Sequence, residues 1–97
     1  MVKHVVMWTI KKDTESNSIT SMRDRLLGLK SKIPEIQKIE VGLKSDELGG
    51  SFDIVLITEF KTGADLQTYR NHPAHIEVVR FVKKVTDLKG SVDFYKS

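Results

Sequence analysis

The stretch FDIVLITEF at residues 52–60 decides the architecture. Its centre, Ile54-Val55-Leu56-Ile57, sets large apolar side chains on both sides of an extended chain, so this strand belongs in the interior of a sheet. A second strand of the same kind spans residues 2–11, where Val5-Val6-Met7-Trp8 sits among β-branched neighbours and is closed by Lys11-Lys12. Period two puts His4, Val6, Trp8 and Ile10 on one side of it and Val5, Met7 and Thr9 on the other.

Between these strands, Ile19, Met22, Leu26, Leu29 and Ile33 recur at spacings of 3, 4, 3 and 4, the signature of an amphipathic helix. The polar cluster from Asp13 to Ser18 offers N-caps for it, and Pro34 ends it by disfavouring the helical conformation at the residue before. Residues 36–43 alternate, with Ile39, Val41 and Leu43 against Lys38, Glu40 and Gly42, and read as a strand with one wetter face. Residues 45–51, with Gly49-Gly50, form a hairpin loop into the 52–60 strand. Beyond it, Thr62 and Asp65 open a short helix through Arg70 in the manner of a capping box. Asn71-His72-Pro73 breaks that helix, and Pro73 starts a further one to about Val85, with Ile76, Val79 and Val82 inward beside Val78 and Val85. Residues 88–95 make the last strand, where Val92 and Phe94 stand in opposite phase to Asp93 and Tyr95.

The order β-α-β-β-α-β is the α+β, ferredoxin-like plan, a four-stranded antiparallel sheet with helices on one face. Those helices cover only one side. Val5, Met7, Val55 and Ile57 occupy the alternate side to Val6, Trp8, Ile54 and Leu56, so the second face calls for a partner, and a homodimer closed through the sheets is expected.

Composition narrows the chemistry. Ninety-seven residues make one domain, residues 1–97, and the absence of cysteine excludes disulfides, zinc-thiolate sites, iron–sulfur clusters and thiol nucleophiles. Apolar runs reach only four residues and Lys3-His4 sits where a signal peptide would start its apolar stretch, so neither membrane nor export is expected and the cytoplasm is the expected compartment. The net charge of +3 comes from 16 basic and 13 acidic residues spread along the chain, with no polybasic patch. RNA binding on this strand order needs aromatic stacking residues on the central strands, and residues 54–57 are aliphatic, so no nucleic-acid partner is expected.

Histidine is the side chain whose ordinary pKa suits acid–base work near neutrality, and the chain has His4, His72 and His75. The last two fall in Tyr69-Arg70-Asn71-His72-Pro73-Ala74-His75, where the break at Pro73 lets Tyr69 and His75 converge although they are six residues apart. Each has an ordinary reading too: His4 as a packing residue with one hydrogen bond, His72 as a cap, Tyr69 as cover for the core edge with its hydroxyl in water. His72 and His75 are spaced for two metal ligands, but no third is placed by sequence, and no metal is expected.

Val2-Lys3-His4-Val5-Val6, the glycine-containing loop before residues 52–60, Asp65 to Tyr69, His72-Pro73-Ala74-His75 and Val92-Asp93-Phe94 together resemble the stress-responsive A/B barrel domain family over essentially the whole chain. The resemblance implies a dimeric α+β barrel in which two ferredoxin-like sheets close face to face. At the site motif it extends to plant polyketide cyclases of that family, which work without cofactor or metal. It implies His75 as general base, Tyr69 as hydrogen-bond donor to a carbonyl or enolate oxygen, and His4 as the group that orients the substrate. A binding pocket beside them would draw on His72, Trp8, Met22 and Leu26, and under the first helix Met22, Leu26 and Leu29 are aliphatic where the cyclase is aromatic. Two functions follow as expectations: a cofactor-free cyclase or lyase-type enzyme for a small carbonyl compound, or a non-catalytic, stress-associated dimer that is structural or binds a small molecule.

Overall fold

Hydrogen bonding places the two doubly apolar strands side by side. The computed structural model describes residues 1–97 and forms one antiparallel sheet from β1 (Val2–Ile10), β2 (Lys38–Leu43), β3 (Ile54–Phe60) and β4 (Thr86–Tyr95), in the order β2-β3-β1-β4. β3 and β1 are therefore the interior pair, with Val5 opposite Ile57 and Val6 opposite Leu56. Helix α1 (Ser16–Lys32) joins β1 to β2, while α2 (Gly63–Asn71) and α3 (Pro73–Val85) join β3 to β4. This is the ferredoxin-like α+β fold, with the second helical connection divided into two helices.

Local chemistry explains the boundaries. Ile33 is extended, φ −122° and ψ 100°, as the residue before Pro34 must be, and α1 stops there. Its N-cap, Glu15, falls within the polar cluster but makes no side-chain capping bond, and the neighbouring Thr14 donates its hydroxyl to the Lys11 carbonyl at 2.7 Å. Gly49 and Gly50 take φ of 82° and 118°, and they turn the chain between β2 and β3 where a side chain would be strained.

The core lies between the sheet and the helices. Val2, Val6, Trp8, Ile54, Leu56 and Phe60 meet Met22, Leu26, Leu29 and Ile33 of the first connection and Leu66, Tyr69, Val78 and Val82 of the second in one buried cluster. On the other side of the sheet Val5, Met7, Val55 and Ile57 are half-buried, and Val92 and Phe94 of β4 stand exposed. Ile76 corrects the reading of α3. It is 44% exposed, because it lies two residues and about 200° of helical rotation from Val78, whose face carries Ala74, Phe81, Val82 and Val85 toward the core. No helix is long and apolar enough to cross a membrane.

The opposed placements of Leu29 and Ile76 are measurable. Leu29→Ala empties a fully buried position and is expected to cost about 2–5 kcal/mol in urea unfolding, whereas Ile76→Ala should cost well under half of that. Equal losses would contradict the assigned phase of α3.

Candidate functional site

The site begins with a helix that has to stop. Thr62 accepts a hydrogen bond from the Asp65 amide at 3.1 Å and starts α2, and one turn later Leu66 and Tyr69 point into the core. At His72 the backbone is extended, φ −68° and ψ 135°, as Pro73 requires. His72 Nδ1 accepts from the Ala74 amide at 3.1 Å and Pro73 fills the first turn of α3, so a new helix starts at once. The redirection brings Tyr69 and His75 together with ring centroids 4.3 Å apart.

His75 completes the junction. Its Nδ1 lies 3.1 Å from the Arg70 carbonyl, one of the acceptors that the end of α2 leaves without an intrahelical partner. That bond needs the proton on Nδ1, which makes Nε2 the ring's free lone pair. On the facing strand, His4 Nδ1 lies 2.5 Å from an oxygen of Asp93, directly opposite it in the β1–β4 register, and the other Asp93 oxygen accepts from Arg70 of α2. His4 is thus held in the same tautomer, again with Nε2 free. Its ring lies 5.9 Å, edge to face, from that of Tyr69.

Burial sets the protonation states. Desolvation holds His4 below the ordinary histidine value and outweighs the opposing pull of Asp93, whose charge is shared with Arg70. Desolvation likewise lowers His75, against the hydrogen bond to the Arg70 carbonyl, and a seat in the first turn of α3 disfavours a cation there as well. Burial pushes the Tyr69 phenol well above its usual range, so it stays protonated. Asp93 goes the other way: its hydrogen bonds to His4 and Arg70 overcome a burial penalty and keep it ionised. At neutral pH the cluster therefore presents two neutral imidazoles and one phenol.

These groups share a cavity of about 490 Å³ between the sheet and the helices. His4, Tyr69 and His75 line it, with Trp8 and Leu26 among its apolar walls. Tyr69 is fully buried, and its hydroxyl is the one buried side-chain polar atom with no hydrogen-bond partner in the chain. Two expected lining residues are elsewhere. Met22, one helical turn before Leu26, is fully enclosed in the core and does not border the cavity, and His72 is committed to capping α3. Sequence reasoning missed Arg70 and Asp93 as partners, and Lys83 and Lys89 as lining. The alternation of β4 carried part of the signal, since it set Asp93 apart from Val92 and Phe94, but the register that puts it against His4 was needed to use it. No three His, Asp or Glu side chains converge as metal ligands, and His72 and His75 bind different backbone partners.

Against known proteins, the model of the stress responsive A/B barrel domain matches residues 2–96. The chain belongs to the stress-responsive A/B barrel domain family. A relative in Arabidopsis thaliana, described as a stress-response A/B barrel domain-containing protein, is 30% identical over 81 residues, 82% of this chain. The match occupies 30% of that plant protein, so this barrel-domain chain spans less than a third of its relative's length. A crystal structure from Bacteroides fragilis, described as a dimeric protein of unknown function with a ferredoxin-like fold, superposes with a TM-score of 0.84 at 29% identity, covering 96% of this chain and 93% of the other. The hydroxynitrile lyase of Passiflora edulis superposes with a TM-score of 0.86 at 15% identity, over 96% and 90% of the two chains, a likeness of fold.

The lowered histidines set the acid response of this barrel domain. Below their ordinary value of 6.5, His4 and His75 take up protons more readily in the unfolded chain than in the folded one. The unfolded state then binds more protons, so unfolding free energy is full above that value and falls as pH drops through it; Asp93 adds a loss of the same sign at lower pH. Urea midpoints should decrease on acidification from about pH 7.5 to about pH 5.5, and the slope should flatten in a His4→Asn, His75→Asn double variant. A midpoint that holds steady or rises in the natural sequence would contradict the neutral assignment.

Proposed function

We propose that the protein binds a small, partly apolar carbonyl compound in this cavity and acts on it by cofactor-free proton transfer, in the manner of a cyclase or lyase. The observation that carries the reading is the Tyr69 hydroxyl, a buried donor with no partner in the chain, on a residue that lines a cavity together with two neutral imidazoles. An unsatisfied buried hydroxyl costs about 1–3 kcal/mol, which a ligand oxygen would recover. A carbonyl oxygen at that hydroxyl places the neighbouring carbon near His75. Nε2 of His75 takes a proton from that carbon, the C–H electron pair becomes the C=C bond of the enolate, and the carbonyl π pair moves to the oxygen that Tyr69 stabilises. His4, fixed by Asp93, offers a second acceptor that orients the ligand or passes the proton on. A related fold already houses a hydroxynitrile lyase, which is consistent with a reaction of this class.

The working unit in this proposal is a homodimer. Val5, Met7, Val55 and Ile57, with the exposed Val92 and Phe94, form an apolar sheet face that the helices do not cover, and the Bacteroides fragilis relative is described as dimeric. A sheet face of this kind buries well over about 1,000 Å² when two copies meet, enough for a specific interface. Sedimentation equilibrium at micromolar concentration should give twice the 11.0 kDa chain mass, and Val5→Asp should shift it toward the monomer. A native monomer in the unmodified protein would remove the dimer from the account.

Activity and stability separate the catalytic reading from a purely structural one. Tyr69→Phe removes a hydroxyl with no partner, so the unliganded variant should melt at or above the wild-type temperature. Neutral aryl ketones and β-diketones should raise the melting temperature of the wild type but not of Tyr69→Phe, and exchange of their α-protons with solvent deuterium should drop at least about 100-fold in His75→Ala. A large stability loss in Tyr69→Phe, with no ligand response in any variant, would instead assign these residues to a structural network in a stress-associated dimer.

A further inference from the structure

Charge is distributed unevenly over the cavity. Its inner walls are apolar, from Val6, Trp8, Leu26, Leu56 and Val78, whereas the exposed residues at its mouth include Lys83 and Lys89. Lys83 directly follows the buried Val82 on α3, and Lys89 stands opposite Trp8 in the β1–β4 register, on the same side of β4 as Ser91 and Asp93. The mouth is thus flanked by an ammonium group from the helix and one from the sheet.

Neither ammonium group is neutralised. The ion pairs of the chain engage His4, Arg23, Lys44, Arg70 and Lys96, and neither Lys83 nor Lys89 has a carboxylate within 4.0 Å. Arg70, the third cation of the lining, is already held by Asp93. Asp87 is the sole carboxylate among the lining residues and pairs with none of them. With Arg70 paired to Asp93, the two unpaired lysines against Asp87 leave the lining positive, and the same lining includes the buried Tyr69, whose hydroxyl has no partner.

We infer that the ligand is a keto acid, its carboxylate held at the mouth between Lys83 and Lys89 while its carbonyl oxygen reaches the Tyr69 hydroxyl inside. The inference rests on the carbonyl-binding reading proposed above and adds the acidic group. The arrangement gives the ligand one orientation, since the unpaired cations stand at the mouth, and a carboxylate turned inward would lose its hydration against Val6 and Leu56 beside an Arg70 already held by Asp93. Lys89 also bears on the chemistry, because its positive charge helps to keep both imidazoles unprotonated. A carboxylate seated on it would strengthen His75 as a base once the substrate is bound.

A matched pair of compounds tests this. The probes are 4-oxo-4-phenylbutanoate and its methyl ester, alike in ketone and ring and different in charge, with dissociation constants measured by calorimetry for the intact protein. The wild type should bind the acid at least about tenfold more tightly than the ester, a ratio within reach of two lysine contacts at a cavity mouth. The ratio should fall to near one in Lys83→Met, Lys89→Met and persist in Lys84→Met, which removes the same kind of exposed charge from α3 outside the cavity. Equal binding of acid and ester by the wild type would overturn the keto-acid inference and leave the carbonyl reading standing. A preference that survives the double substitution would overturn the assignment to these two lysines. Binding of neither compound would remove the carbonyl reading and this inference with it.

Discussion

Asp93 joins the three parts of the chain on which the site depends. It lies on β4, accepts from His4 across the strand pair, and accepts from Arg70 at the end of α2. Without a carboxylate there, His4 would have no acceptor to fix its tautomer, and the guanidinium of Arg70 would lie beside an imidazole with nothing between them. The pairing shapes a base at neutral pH in an indirect way. Desolvation outweighs the pull of Asp93 at His4, the charge of Arg70 acts in the same direction as burial, and the ring stays neutral with Nε2 open.

The break at His72-Pro73 plays the corresponding part on the helical side. A single straight helix would turn Tyr69 and His75 away from one another, whereas two helices meeting at a proline set their rings against each other and give the Arg70 carbonyl a donor. The junction is well satisfied, with His72 capping one helix and His75 closing the other. The Tyr69 hydroxyl is the exception. Amid apolar and aromatic neighbours it leaves an unmet donor, the kind of local cost that folded chains concentrate at functional positions.

Much of this was legible in the sequence, for reasons that differ by element. Apolar side chains on both faces of residues 54–57 placed β3 in the sheet interior, and the 3-4-3-4 spacing from Ile19 to Ile33 marked the inward face of α1. Proline fixed the end of α1 and the start of α3. The phase of α3 was harder to read, because Ile76, Val78 and Val79 are all apolar and composition alone does not distinguish an exposed isoleucine from a buried valine. Site residues followed the same division. Tyr69 and His75 are close in sequence and could be brought together by local reasoning, while Asp93 reaches His4 across 89 positions and depends on strand register. Met22 and Leu26 occupy one helical stripe, and only the helix's placement over the sheet decides that Leu26 borders the cavity and Met22 does not.

The central claim is that two neutral imidazoles, each with its proton on Nδ1, face a protonated phenol. Long-range nitrogen–proton correlation NMR on uniformly labelled protein at neutral pH reads this directly. The account predicts that His4 and His75 both show the Nδ1–H pattern, with Nε2 at the shift of an unprotonated ring nitrogen. An Nε2–H tautomer or an imidazolium at either residue would contradict it.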